Sequence, residues 1–249
     1  MATGLLILGV ERATKLLGYL ALHDKAYDAT IRLGVTTVTD DAEGDVMETV
    51  DASGVSDDAI RSGVGALTGD ILQSPSAVSA IKVDGKRSYA RVRAGESVAL
   101  PPRPVTVSRF DVLAIRRDAG VIDVDVLVEC TTGTYVRALA RDLGAGLGVG
   151  GHLTALRRTR VGAFTLPEAR TLEQLEESFT VTPLAESVAR VFPRRDVDAE
   201  RALAVSHGGR LALSGEDGPT GVFGPDGTVL ALMAPKDGSL HPLVVLTPA

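Results

Sequence analysis

Three stretches carry residue types able to grip a nucleic-acid base and its charged backbone: Lys25-Ala26-Tyr27, Gly133-Thr134-Tyr135-Val136-Arg137 and Leu156-Arg157-Arg158. An aromatic face is a platform for a stacked base, and a guanidinium is a planar fork for phosphate or carboxylate. Buried tyrosines and surface arginines are common in any globular chain, so each stretch alone is a weak signal.

Other chemistries fit less well. The four histidines, His23, His152, His207 and His241, are far apart and none has a partner one helical turn away, so no zinc site is expected. Asp40, Asp41, Glu43 and Asp45 crowd around Gly44, but the ordered oxygen-ligand pattern of a calcium loop is missing and a solvated acidic turn is expected instead. Gly146, Gly148 and Gly151 match G-x-G-x-x-G in spacing, yet they follow a helical pattern instead of a strand, which removes the geometry for a dinucleotide. Gly54-Val55-Ser56 is not completed to the G-x-S-x-G elbow of a serine hydrolase. No cofactor and no metal is expected.

The chain that must position these residues has 249 residues, 45% of them apolar, enough for one large and one small unit. Its single cysteine, Cys130, cannot form an internal disulfide, and the apolar run Leu5-Leu6-Ile7-Leu8 is far too short for a membrane span. A cytoplasmic setting without membrane anchoring is expected. The net charge of −6 argues against a generic nucleic-acid binder. Its distribution is uneven, however. Residues 82 to 110 hold seven Lys and Arg against Asp84 and Glu96, and residues 131 to 164 hold five Arg against Asp142. Residues 32 to 70 hold nine acids against Arg32 and Arg61, a polarity able to focus an anionic ligand on one side.

Apolar spacing predicts a helix over Glu11 to Leu22, a half-buried strand over Tyr27 to Val35, and a helix capped by Ser56 running to about Leu67. Lys86 to Arg93 is expected as a short basic helix. Val105 to Ile115 and Val121 to Val128 are expected as strands joined by a hairpin at Arg116 to Gly120. Thr134 to Leu147 has helical spacing, with Arg137 and Arg141 on one face and glycines at its end. Residues 166 to 200 read as a connector with short helices. Val222-Phe223 and Thr228 to Met233 flank Gly224-Pro225-Asp226-Gly227, a hairpin signal. The expected division is a domain of residues 1–189 followed by a small β-rich domain of residues 190–249.

Several motifs, taken in order, resemble the TruB-type pseudouridine synthases. They are Ala2-Thr3-Gly4 through Gly9 with Ala13-Thr14-Lys15, Arg32 to Thr37 with Thr39-Asp40-Asp41-Ala42-Glu43-Gly44, Pro75 to Lys82 with Gly85 and Tyr89, Gly133 to Arg137, and Gly150 to Arg158. The resemblance runs to about residue 165, and the tail is similar to that family's PUA-like C-terminal domain. It implies an α+β pseudouridine synthase fold, with a mixed, largely antiparallel sheet flanked by helices. It also implies isomerisation of uridine to pseudouridine at position 55 in the TΨC loop, with the TΨC arm of tRNA as partner and no protein partner.

By the same resemblance, Tyr27 stacks on the target base and helps remove its C5 proton, and Arg137 pairs with the catalytic carboxylate. Tyr135 and Leu156 line the base pocket, Lys15 supports it, and Arg157 and Arg158 approach the RNA backbone. The family's nucleophilic aspartate lies in a Leu-Asp segment just before the Ala-Thr-Gly seen here as Ala2-Thr3-Gly4, and these residues hold no counterpart. The expectation is that the sequence begins inside a longer protein, that a sheet edge and apolar surface lie uncovered there, and that Arg137 is left an unpaired charge. A noncatalytic tRNA-binding or tRNA-folding protein, or an inactive fragment, is the alternative.

Overall fold

The computed structural model describes residues 2–76, 78, 82–83, 86–87 and 100–248. Tyr89, Gly85 and the side chains of the basic residues 82 to 93 therefore lie outside the described set. The chain forms two compact units, one of residues 1–5 and 22–161, the other of residues 6–21 and 162–249.

The first unit is built on a sheet whose strands run, in spatial order, Ala2–Gly4, Gly151–Val161, Lys25–Leu33, Val121–Cys130, Arg103–Asp118 and Gly69–Gln73. All these pairings are antiparallel except the first, Ala2–Gly4 beside Leu156–Arg158, which is parallel. The central strand Val121–Cys130 shows why the sheet forms: strict alternation sends Ile122, Val124, Val126, Val128 and Cys130 to one face, each almost wholly buried. Ala29, Ile31 and Leu33 do the same from Lys25–Leu33. That face is covered by helices Asp57–Ala66 and Val136–Gly146, which contribute Ile60, Val64, Leu139, Ala140 and Leu143 to one core.

The opposite face is polar. Arg32 donates two bonds to Asp123, Asp125 accepts from Thr30 at 2.8 Å and from Arg116, and Arg160 reaches Glu129 at 2.5 Å. Such partly solvated pairs contribute little, on the order of 1 kcal/mol each, so the stability of the sheet rests on its other face.

Helix and turn signals act where the sequence places them. Ser56 accepts the Ala59 N–H at 3.2 Å, and Asp57 and Asp58 occupy the favourable first turn. The hairpin turn is tighter than expected, because the strands extend to Asp118 and Val121. Ala119 and Gly120 both have positive φ, the two-residue geometry whose twist matches that of paired strands. Lys86–Arg87 is not helical: it pairs as a short strand with Lys82–Val83, whose backbone supplies the hydrogen-bond partners. The rest of that expected helix lies outside the described residues.

The second unit holds a sheet in the order Arg194–Asp196, Thr220–Phe223, Val229–Lys236, Ser239–Val245 and Leu211–Ala212. It starts earlier than the expected boundary near residue 190, because Leu16 and Leu20 join Val188, Phe192, Phe223 and Leu232 in one of its cores. The expected helix of Glu11 to Leu22 is a 3-10 turn, Glu11–Leu16, passing into a single α-turn, Leu17–Leu20. Leu6, Leu8 and Val10 just before it are exposed.

Candidate active site

Tyr27 sits on the helix-covered face of the first unit's sheet, half-buried, directly across from Val128 on one side and Arg158 on the other. Leu156 pairs with Ala29, two residues along, and both Tyr27 and Leu156 pack against the core. Burial pushes the Tyr27 phenol above its ordinary pKa, and the guanidinium of Arg158, which bonds to it, pulls the other way. Arg158 also donates its Nε–H to the Leu5 carbonyl at 2.7 Å. Its side chain is therefore engaged within the unit, while Arg157 is exposed.

The helix Val136–Gly146 begins beside this end of the sheet: Cys130 pairs with Lys25, and the Thr134 hydroxyl lies against the Cys130 thiol. Tyr135, the residue before the helix, has no side-chain cap. The buried side chain of Gln73 holds it instead, accepting the Tyr135 N–H at 2.7 Å and donating to its carbonyl at 3.1 Å. Gln73 was not singled out in the sequence, and it fixes the motif that carries Arg137.

Arg137 is not unpaired. It donates to Asp41 Oδ2 at 3.0 Å, the Thr39 carbonyl at 2.9 Å and the Val78 carbonyl at 2.8 Å, with its side chain 22% exposed. Asp41 is correspondingly not part of a solvated turn. It is only 5% exposed, and its other oxygen accepts the Thr39 hydroxyl at 2.5 Å and the Glu43 N–H at 3.0 Å. A carboxylate so supplied with donors can be buried ionised. The turn is fastened to the sheet as well, for the Leu153 N–H donates to the Asp40 carbonyl at 3.1 Å. Glu43 and Asp45 do remain exposed, as expected of that turn.

The structure thus brings Tyr27, Leu156 and Arg158 onto one sheet face and sets Tyr135 and Arg137 at the helix end beside it. Lys15 belongs to the second unit, where its ammonium donates to the Val245 carbonyl at 3.2 Å. Among the described residues, no group of three or more His, Cys, Asp or Glu is placed to hold a metal ion. His152 is buried, with Nδ1 2.8 Å from the Val35 carbonyl.

Cys130, 1% exposed, has its thiol pushed up to about 11, first of all by burial. The native protein at pH 8 is expected to resist an aromatic disulfide reagent for minutes, while the urea-unfolded chain releases one equivalent at once. Because the fold favours the protonated thiol, its contribution to stability is whole below about pH 8.5 and is lost as the pH climbs toward 11. Rapid reaction of the folded protein would show that the thiol is open to solvent.

Family models match residues 1–247: the TruB family pseudouridylate synthase N-terminal domain over residues 1–136, the tRNA pseudouridylate synthase B C-terminal domain over 137–192, and the tRNA pseudouridine synthase II C-terminal domain over 192–247. The chain belongs to the TruB family. Relatives named tRNA pseudouridine synthase B include that of Streptomyces griseus, 58% identical over 98% of this chain and 84% of its own length. Another, from Nocardia farcinica, is 58% identical over 100% of this chain and 81% of its own length. Among solved structures, the chain resembles one in a Cbf5-Nop10-Gar1 complex, with a TM-score of 0.66, 22% identity, and coverage of 96% of this chain and 71% of that one. A second, from an H/ACA RNP bound to a substrate RNA containing 2'-deoxyuridine, gives 0.63 at 21% identity. At that identity the likeness establishes the fold, the α+β pseudouridine synthase fold with a β-rich C-terminal part. TruB membership makes the chain one of an isomerase family that converts uridine to pseudouridine.

Proposed function

We propose that this TruB-family chain acts on the uridine at position 55 in the TΨC loop of tRNA, binding the TΨC arm in the cytoplasm. The observation that carries this reading is the held guanidinium of Arg137, fixed by three bonds at the helix end that rises beside Tyr27 and Leu156. The unit of residues 1–5 and 22–161 is assigned the chemistry, and the β-rich part within residues 190–249 the PUA-like role. Among the described residues, no helix is long and apolar enough to cross a membrane.

Isomerisation breaks the bond from C1′ to N1, turns the base, forms the bond from C1′ to C5, releases the C5 proton and leaves N1 to take up a proton in its place. The base must first leave its stack, at an expense of a few kcal/mol. Tyr27 supplies the aromatic face that replaces the lost stacking, and Leu156 and Tyr135 bound the pocket. Arg157, exposed on the strand next to Ala2–Gly4, is free to approach a phosphate of the RNA. Arg158 is taken up by Tyr27 and Leu5, which favours a supporting role over the phosphate contact expected from the sequence. Lys15, whose ammonium bonds the Val245 carbonyl within the second unit, is given no part in this pocket. The nucleophilic carboxylate that the family resemblance requires is not among these 249 residues, and Arg137 is the group here that would orient it and keep it ionised.

The test is tritium release from tRNA transcribed with 5-tritiated uridine, using the protein isolated from its source cells. One tritium per tRNA is expected, and none when position 55 is changed to cytidine. Tight tRNA binding with no release would establish a binding protein instead, and release from another position would overturn the proposed target.

A further inference from the structure

Arg137 and Arg141 stand one helical turn apart, and their bonds repeat the same pattern on neighbouring atoms. Arg137 grips Asp41 and the Val78 carbonyl; Arg141 donates to Asp40 Oδ2 at 3.4 Å and to the Ser74 carbonyl at 2.7 Å, with its Nε on Asp142 at 2.8 Å. Each guanidinium thus joins one carboxylate of the 39–41 turn to one carbonyl of the 74–78 segment. Ser76, fully buried, closes the gap between them by donating to the Thr39 carbonyl at 3.2 Å, the same oxygen that accepts from Arg137.

The turn needs such holding. Asp40 has a φ of +58°, in the left-handed region that Asp enters at a smaller cost than most residues with a side chain but does not favour. Released, it has a ready route to ordinary backbone angles, and Asp41, the next residue, would carry its carboxylate away from Arg137.

We infer that Arg141 is a positioning residue for the reaction: by binding Asp40 and Ser74 it sets the turn that presents Asp41, and so fixes the direction of the Arg137 guanidinium. This rests on the proposed pseudouridine synthase chemistry at Arg137. The bonds of Arg141 go to Asp40, Asp142 and the Ser74 carbonyl, so its influence on the pocket passes through Asp41 and Arg137. Burial raises the Asp40 pKa; the Ser76 bond and the charges of Arg141 and Arg137 oppose this, while Asp142 adds to it. Burial is the largest of these influences, so the carboxylate of Asp40 is held in the turn at a cost to stability that its bonds only partly offset.

The test uses Arg141→Gln, Arg141→Lys, Asp40→Asn and the Arg141→Gln/Asp40→Asn pair in the native protein. For Arg141→Gln and Asp40→Asn, kcat is expected to fall about 10- to 100-fold, the scale of a roughly 1 Å misplacement of a reacting group. Kd for tRNA and the slope of its salt dependence should be unchanged. Arg141→Lys should recover part of the loss, the double variant should be no worse than the poorer single one, and Asp40→Asn should melt no lower than the parent. A crystal structure of Arg141→Gln is expected to show Arg137 parted from Asp41.

A weaker Kd with a shallower salt slope would make Arg141 a phosphate ligand and overturn the inference. So would a lowered melting temperature with kcat intact. If the parent protein itself shows no tritium release, the proposed function fails; the clamp is then decided by the Arg141→Gln structure, where an undisturbed contact between Arg137 and Asp41 would overturn it.

Discussion

Arg137→Ala is expected to lose turnover by well over 100-fold, to hold tRNA with its affinity within about twofold, and to be less stable by about 3 kcal/mol. Two separate consequences are combined. In the reaction, the guanidinium that aligns the carboxylate nucleophile is gone, while the surfaces that bind tRNA remain. In the fold, the Asp41 carboxylate, 5% exposed, is left buried without its counter-charge. Removing one partner of a buried pair destabilises by about 3–5 kcal/mol. The lower end applies because Asp41 keeps the Thr39 hydroxyl and the Glu43 N–H. Urea unfolding and tritium release separate the two. Adding Asp41→Asn to Arg137→Ala should restore much of the stability and none of the turnover. Normal turnover in Arg137→Ala would remove this residue from the mechanism.

Gly144→Ala is the second large effect. A Cβ on Gly144 would lie 2.1 Å from the Gly150 carbonyl carbon and 2.3 Å from the Gly151 nitrogen, and these are backbone atoms that cannot swing away. Helix Val136–Gly146 and strand Gly151–Val161 must then separate. The expected loss is about 3 kcal/mol or somewhat more, the upper range for overpacking, even after the gain of roughly 1 kcal/mol from alanine's better helix propensity. The melting temperature should drop by on the order of 10 °C. Gly146→Ala is the control: it lies in the same helix, is exposed and meets nothing within 4 Å, so it should be neutral or slightly stabilising. Equal melting temperatures for the two would mean that helix and strand do not approach this closely.

The contrast also explains which features could be read from the sequence. Strand and helix periodicity made Val121 to Val128 and Thr134 to Leu147 legible, and the Gly133-Thr134-Tyr135-Val136-Arg137 motif pointed to Arg137 directly. Asp41 was misread because its neighbours Asp40, Glu43 and Asp45 make the segment look solvated, whereas its burial depends on an arginine 96 residues away. No local pattern announces such a partner. Gln73 is illegible for the same reason, since its side chain bonds a backbone 62 residues distant. The partner of Arg158 is hidden differently: the register of its strand shifts between Leu153 and Ala155 and again between Arg158 and Arg160, so simple alternation cannot tell which arginine faces Tyr27. Motif order puts Lys15 with the pocket, whereas its ammonium bonds the Val245 carbonyl of the second unit, a partner 230 residues away.

The parallel pairing of Ala2–Gly4 with Leu156–Arg158 has a consequence for how the protein is made. A ribosome adding about 5–20 residues per second exposes the first of these strands roughly 8–30 s before the second exists. Arg103–Asp118 and Val121–Cys130, neighbours in the chain, can meet as soon as both have emerged. Assembly therefore starts in the middle of the sheet, and the pairing of Ala2–Gly4 waits until Leu156–Arg158 has emerged.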